Sequence, residues 1–216
     1  MSRRYASIAF TDSVRDVQDE HGSGEFYAQH VARGQEIATG DALDDRAAAF
    51  LSARDSFYLA TVGEGGWPYV QHRGGDGGFV RVLDPHTIGW ADLGGNLQYV
   101  TTGNLTTDDR IALIAVDYPH RARLKLFGRA TVVQAADDPE LARRLVVPGY
   151  DGTVERLVTV TVEAYDWNCP QHITPRYTVS ELAPQIAPLQ QRLAQLEADN
   201  ARLRSELASS SGTVEA

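Results

Sequence analysis

Hydrophobic residues in the middle of the chain alternate with polar ones in short runs, a pattern typical of half-buried β-strands. From Ser56 to about Val162 these runs are separated by turns that contain glycine or proline. The predicted strands cover 57–62, 67–73, 79–83, 87–92, 110–117, 123–133 and 154–167. Because six or more strands follow one another with few crossover helices, the predicted fold class is mainly β, an antiparallel barrel.

Helical spacing is found on both sides of the strands and in short pieces between them. In Thr11 to His21, Val14 and Val17 share one face, and Gly22 ends the pattern. A second helix is predicted to open at Asp41 as its N-cap. Residues 138–145 predict another short helix, and the segment after Asp92 predicts a loop with a short helix. We interpret the N-terminal helices as an amphipathic cover over the sheet.

The C-terminal segment has a seven-residue repeat. Leucines occupy the d positions and one asparagine occupies an a position, an arrangement that favours a parallel two-stranded coil in fixed register. The d residues are Leu182, Leu189, Leu196 and Leu203, and the a residues are Ile186, Leu193, Asn200 and Leu207. Because proline damages a helix interior, we expect the regular coil to start near Pro188, after Pro184, and to last about three heptads. Packing of this helix on its own barrel is the alternative.

These patterns divide the chain into four segments. They are a helical extension (1–54), the barrel (55–178), a leucine-zipper-like helix (179–208) and a disordered tail (209–216). A coil of three heptads is marginal alone, so we expect it to reinforce a homodimer that the barrel forms.

Composition and charge argue against some binding partners and some cellular compartments. The net charge of −9 repels a phosphate backbone, which argues against nucleic acid. No apolar run approaches the length of a bilayer span, and the N-terminus does not resemble a signal peptide. The single cysteine, Cys169, fits a reducing cytoplasm.

Signatures of common hydrolases, nucleotide-binding loops and metal sites are missing from the sequence, so the candidate chemistry lies in polar clusters at strand ends. One cluster consists of Trp90, Asp92, Gly94 and Gly95. Another, Gln71 to Arg73, lies at the end of the second predicted strand. Strand alternation predicts that Arg121, Arg123 and Lys125 share one face, which suits a phosphate. A solvated face with surface ion pairs is the alternative.

The last cluster, YDWNCPQHITPRYT, follows the final strand. It places Trp167, Gln171 and His172 between stiffening prolines, and such aromatic and amide groups suit a flat heteroaromatic ligand. A structural connection to the coil is the alternative interpretation.

Four stretches resemble FMN-binding members of the pyridoxamine 5'-phosphate oxidase-like superfamily. They are FYLATVGEGGWPYVQHRGG, GNLQYVTTGN, RARLKLFGRATVV and DWNCPQHITPR. The resemblance covers roughly residues 10 to 178. It implies an antiparallel split β-barrel homodimer that holds two FMN molecules, each in the groove between subunits.

The resemblance also implies which residues contact the cofactor. The phosphate loop of the oxidases falls on Gly95, Asn96 and Leu97 without its two cations, so the positive charge would come from Arg73, Arg123 or Lys125. The oxidases' C-terminal ending is absent, so their substrate is not carried over. The full set of expected cofactor contacts is Gln71, His72, Arg73, Trp90, Ala91, Asp92, Asn96, Gln98, Arg123, Lys125, Trp167, Gln171 and His172.

The expected function is that of an FMN-dependent oxidoreductase with an unknown small-molecule substrate, no metal and no membrane partner. Two alternatives stay open. One is a non-catalytic flavin-binding or sensing protein, and the other is the same barrel with haem or a deazaflavin. In the haem case, His72 or His172 would be the candidate ligand.

Overall fold

The computed structural model describes residues 3–32, 40–147 and 152–211. The chain divides into two compact units, Met1–Ile173 and Thr174–Ala216, and each is described by itself. Parts of the predicted helical extension, residues 1–2 and 33–39, lie outside the described residues.

The first unit is built on a seven-stranded antiparallel sheet with the neighbour order β2-β1-β5-β6-β7-β4-β3. The strands are β1 Ser56–Val62, β2 Pro68–Gly74, β3 Arg81–Asp84, β4 Thr87–Leu93, β5 Arg110–Asp117, β6 Ala122–Gln134 and β7 Val154–Trp167. Each predicted strand is present. The edge strands β2 and β3 pair with one neighbour only, so the ladder of hydrogen bonds does not close into a barrel.

Side chains from one face of the sheet form the core. Along β5 every second residue is buried, as the alternation of side chains in a strand requires. At the centre of the core, Phe57 stacks on Phe79, with ring centroids 5.6 Å apart, and meets the buried ring of Trp90 edge-on at 5.0 Å. This aromatic cluster fixes the positions of β1 and β4, on which the site described below is built.

Short helices flank the sheet, and a long one forms the second unit. Their bounds are α1 Arg3–Ala9, α2 Asp12–Glu20, α3 Gly24–Ala32, α4 Asp45–Ser52, α5 Val100–Asn104, α6 Pro139–Leu145 and α7 Val179–Ser211. None of the helices in the described part of the chain combines the length and the apolar character that a membrane span requires.

The predicted N-cap of the second helix is wrong. Asp44, not Asp41, caps α4, because its side chain accepts a hydrogen bond of 2.7 Å from the backbone N–H of Ala47. Asp41 instead lies beside β7, where its backbone N–H donates to the carbonyl of Glu163 and its carboxylate accepts the N–H of Tyr165.

An ion-pair network attaches α1 to the sheet. Glu163 on β7 accepts hydrogen bonds from Arg4 at 3.0 Å and from Arg129 at 3.1 Å, and Arg129 also binds Asp109 at 2.8 Å. The hydrogen bond from Arg4 lowers the pKa of Glu163, and Arg129 adds to this effect while partial burial opposes it.

We expect Glu163→Gln to reduce stability at neutral pH and to lose this effect in acid. Because the folded-state pKa is lowered, the carboxylate stabilises the protein fully above the ordinary pKa of glutamate, about 4.3. This contribution disappears as the pH falls through the lowered folded-state pKa. Melting temperatures of the variant and the wild type, measured from about pH 7 to about pH 3, should therefore converge at the acid end. A constant difference over this range would contradict the prediction.

The helix of the second unit starts where the predicted segment 179–208 starts, before the position near Pro188 at which the regular coil is expected to begin. Thr178 and Glu181 form a capping box, in which the Thr178 backbone N–H donates to the Glu181 carboxylate at 2.7 Å and the Thr178 hydroxyl accepts from the Glu181 N–H at 3.2 Å. The helix therefore starts at Val179 and includes both Pro184 and Pro188. It runs to Ser211, and residues 212–216 of the predicted disordered tail lie outside the described residues.

Candidate functional site

A polar cavity of about 260 Å³ lies where β2 and β4 end. On β2, Gln71 and Arg73 are partly buried while their neighbour His72 is exposed, because successive side chains point to opposite faces. The loop after β4 forms the rest of the wall. The cavity is lined by Gln71, Arg73, Asp92, Leu93, Gly95, Asn96, Leu97, Tyr99, Val100, Thr101, Thr102 and Arg156.

A buried carboxylate joins two arginines at the base of this cavity. Asp92, which is 4% exposed, accepts from Arg73 Nη1 at 2.8 Å and from Arg156 Nε and Nη2 at 3.2 and 3.1 Å. Asp92 and Arg156 are direct neighbours in the pairing of β4 with β7. β2, however, lies at one edge of the sheet, five strands away from β4 in its order. The Arg73–Asp92 contact therefore shows that the sheet curls until its two ends approach each other.

Charge in the cavity favours an anion. Two guanidinium groups and one carboxylate line it, and a second carboxylate, that of Glu155, pairs with one of the guanidinium groups outside the lining. Burial lowers the pKa of Arg156, but its hydrogen bonds to Asp92 and the charge of that carboxylate more than offset this effect, so the pKa is raised and the guanidinium stays protonated. Glu155, the neighbour of Arg156 in the sequence, accepts from its Nη1 at 2.7 Å.

One donor in the cavity wall lacks an acceptor. The Nε of Arg73 is buried and has no hydrogen-bond partner within the described part of the chain. A buried donor without a partner costs about 1–3 kcal/mol, and more when the group is charged. An oxygen atom of a bound anion beside Arg73 would remove this cost, so the cavity fits an anionic ligand group such as a phosphate.

The loop over the cavity has an unusual backbone. Leu97 and Tyr99 have positive φ angles of 61° and 51°, which non-glycine residues rarely adopt. The Asn96 side-chain oxygen accepts the backbone N–H of Gln98 at 3.3 Å, and the Gly94 N–H donates to the carbonyl of Thr153 at 3.0 Å. Left-handed residues of this kind cluster at ligand-binding loops, where backbone N–H groups can converge on an anion.

Further contacts hold the walls of the cavity. The guanidinium of Arg156 stacks over the ring of Tyr99, with its central carbon 4.7 Å from the ring centroid, and the Tyr99 hydroxyl donates to Glu155 at 3.4 Å. On the other side, the buried Thr101 hydroxyl donates to the side-chain oxygen of Gln71 at 2.9 Å. This bond orients the Gln71 amide, whose NH2 group then stays available for a ligand.

The structure brings four of the expected contacts together in this cavity, namely Gln71, Arg73, Asp92 and Asn96. Gln98 lies in the same loop, but its side chain does not line the cavity. Some expected contacts that are neighbours of these residues in the sequence do not line the cavity. His72 is exposed on the opposite face of β2, with its ring edge-on to Tyr58 at 5.5 Å.

On β4, the two residues before Asp92 point into other spaces. Trp90 is 2% exposed and belongs to the core. Ala91 lines a smaller, mostly apolar cavity of about 60 Å³, together with Phe79 and Leu145. Of the three expected contacts on this strand, only Asp92 therefore lines the polar cavity.

The predicted cationic face of β6 is not present as such. The prediction that Arg121 shares it is wrong, because Arg121 lies in the turn before the strand with a φ angle of 54°. Arg123 donates to the Cys169 carbonyl at 3.2 Å. Lys125 lies 4.8 Å from the centroid of the Tyr5 ring, in a largely apolar groove on the outer side of the sheet. Neither Arg123 nor Lys125 lines the polar cavity of the same chain.

Residues of the last cluster lie around the end of β7. The Trp167 ring packs against Phe50, with centroids 4.9 Å apart, and under the Arg46 guanidinium at 4.2 Å. Gln171 and His172 are exposed in the following turn, where His172 has a φ angle of 62°. None of these three side chains lines the polar cavity of its own chain.

Six residues that line the cavity were not expected from the sequence, and two of them, Arg156 and Thr101, hold its polar groups in place. The six are Leu93, Tyr99, Val100, Thr101, Thr102 and Arg156. A signal for Arg156 exists in the sequence, because every second residue from Arg156 to Ala164 would face the core, and Arg156 is the only charged member of that series. A charge on the buried face of a strand requires a partner, which is Asp92. Thr101 has no comparable signal, since its role depends on the position of Gln71.

The structure combines an open, curled antiparallel sheet with a polar cavity that two arginines line. The loop between β4 and α5 forms part of the cavity wall. The sequence model of the pyridoxamine 5'-phosphate oxidase family matches residues 43–161, more than half of the chain, and the chain belongs to this family. The matched range includes the strands and the loop that form the cavity. The predicted family is therefore confirmed, and the open, curled antiparallel sheet confirms the predicted split β-barrel fold.

Solved structures similar to this chain come from several bacteria. HupZ of Group A Streptococcus is 16% identical, with a TM-score of 0.44, over 62% of this chain and 100% of that chain. An FMN-binding protein of Syntrophomonas wolfei is 12% identical, with a TM-score of 0.46, over 58% of this chain and 85% of that chain. No curated protein matches the sequence significantly.

Proposed function

We propose that the chain binds FMN, with the phosphate group in the polar cavity beside Arg73 and Arg156, and that it is an FMN-dependent oxidoreductase. The observation that carries the proposal is the pair of arginines on one buried carboxylate, in which the buried Nε of Arg73 has no partner among the described residues. Family membership supports a flavin, and the two guanidinium groups that line the cavity support a phosphorylated one.

The other groups of the cavity also suit the phosphate end of FMN. Arginine side chains bind phosphate through charge-assisted hydrogen bonds, and Gly95, Asn96 and Leu97 of the loop line the same cavity. Gln71, held by Thr101, supplies an amide donor on the same wall. When bound, FMN supplies the redox chemistry, while the protein binds it and excludes water from it.

A homodimer is part of the proposal, and the outer side of the sheet supports it. Large apolar side chains are exposed there: Val70 is 61% exposed and Tyr58 is 40% exposed. Clustered exposed apolar residues are typical of protein interfaces. His72 and Lys125 lie on this side as well, so a second copy would bring these expected contacts to a cofactor held between chains. We place this dimer in the cytoplasm.

The visible spectrum of the purified protein tests the proposal. Bound FMN should give absorption bands near ~370 and ~450 nm, and heat should release a cofactor with the mass of FMN. Reduction of these bands by NADH or NADPH, followed by their return in air, would support an oxidoreductase. Flavin bands that neither nucleotide reduces would favour a passive flavin-binding protein. A haem spectrum, or a deazaflavin in the extract, would contradict FMN.

A further inference from the structure

A continuous stripe of exposed leucines runs along α7. Leu189, Leu193, Leu196 and Leu203 are 70%, 58%, 48% and 51% exposed, and Ile186 is 41% exposed. With Asn200 between the last two leucines, they repeat at alternating steps of three and four residues, so they lie on one face of the helix. Since the helix begins at Val179, the stripe has three core positions before Pro188, namely Val179 at a, Leu182 at d and Ile186 at a.

We propose that α7 pairs with α7 of a second copy as a parallel, in-register two-stranded coil over residues 179–207. The proposal is independent of the cofactor. Leucine at every d position, with Val179 and Ile186 among the a residues, favours two strands over three or four. In a parallel coil, Asn200 meets the same residue of the partner chain, so the two amides can bond to each other. In an antiparallel coil, Asn200 would meet a leucine and lose that partner.

Charges beside the stripe are complementary in the parallel register. Arg192 at g lies opposite Glu197 at e of the second chain, and Asp199 at g lies opposite Arg204 at e. By symmetry each pair occurs twice. Glu197 has no charged residue three or four positions away in its own helix, so its charge acts mainly across the coil.

The two prolines are compatible with this pairing because of where they stand in the repeat. Pro184 is at f and Pro188 is at c, on the side of the helix away from the leucine stripe. Their rings therefore do not enter the contact between helices. The carbonyls that lose a backbone partner, those of Ser180 and Pro184, lie on the same outer side, where water can bind them.

Disulfide formation between engineered cysteines tests both pairing and register. In a Cys169→Ala background, Leu203→Cys should form a covalent dimer under mild oxidation, because identical d positions meet only in a parallel in-register coil. The matched control is Ala198→Cys at the outer f position of the same helix. We expect Leu203→Cys to cross-link at least about tenfold faster than this control.

Charge reversal separates the coil from simple proximity of two C-termini. Adding E197R to Leu203→Cys should slow cross-linking at least about threefold at low salt, because it places like charges opposite each other twice. The double change R192E/E197R should restore the original rate, and high salt should abolish the difference. Equal cross-linking of the two cysteine variants would overturn the proposal, as would a double change that fails to restore the rate.

Discussion

Replacing Arg73 with alanine is expected to weaken FMN binding by about 10–100-fold and to leave riboflavin binding nearly unchanged. Hydrogen bonds to charged groups contribute about 1.5–3 kcal/mol, and each 1.4 kcal/mol changes an affinity about tenfold. Riboflavin lacks the phosphate that the cavity would hold, so the loss should be specific to FMN. Asp92 keeps Arg156 as a partner in this variant, so the cavity retains its other ion pair.

Titration of the apoprotein with each flavin, followed by flavin fluorescence, measures both affinities. Arg129→Ala is the matched control, since it removes the same charge from an arginine that binds Asp109 and Glu163 instead. The control should keep the wild-type ratio of the two affinities. If Arg73→Ala leaves FMN affinity unchanged, the phosphate lies elsewhere. If both flavins weaken equally, the substitution has damaged the fold of the site instead.

The sheet could be predicted from the sequence because its strands obey local rules. In β5, core-facing and partly exposed residues alternate without exception, and the predicted range 110–117 matches Arg110–Asp117. For β7 the predicted range also matches Val154–Trp167. Both strands are bounded by turns and have one buried face, so period-two alternation identifies them without knowledge of the partner strands.

The cavity could be predicted only in part, because it depends on the curl of the sheet. Gln71, Arg73 and Asp92 were expected as contacts, yet no local pattern indicates that Arg73 on an edge strand reaches Asp92 on a strand near the other edge. The direct pairing of Asp92 with Arg156 likewise depends on the register of β4 against β7. Local alternation gives the face of each residue but not the residue opposite it.

At the helix ends, competing signals lie close together in the sequence. The pattern Thr178-x-x-Glu181 is a capping box, and it starts the helix before Pro184 and Pro188. A proline removes only one backbone hydrogen bond when its ring faces solvent, so these two prolines do not delay the start of the helix. Similarly, two aspartates stood near the start of α4, and tertiary contacts with β7 occupy Asp41 and leave Asp44 as the cap.

The largest loss of stability is expected from Asp92→Asn in the absence of FMN. Asp92 is the carboxylate that Arg73 and Arg156 share, and it is almost completely buried. The amide keeps the size of the side chain but removes the charge, and its NH2 group would point at a guanidinium. Removing one partner of a buried ion pair lowers the free energy of unfolding by about 3–5 kcal/mol. For a chain of this size, that cost corresponds to a fall in melting temperature of about 10 °C.

FMN should reverse part of this loss, because its phosphate would supply the negative charge that the variant lacks beside Arg73 and Arg156. Saturating FMN is therefore expected to raise the melting temperature of Asp92→Asn more than that of the wild type, and riboflavin should not. Differential scanning fluorimetry with each flavin measures the two increments. Asp109→Asn is the control, because it removes a half-exposed partner of Arg129 and should shift both melting temperatures little. Equal increments from FMN in Asp92→Asn and in the wild type would show that the phosphate does not lie beside the two arginines.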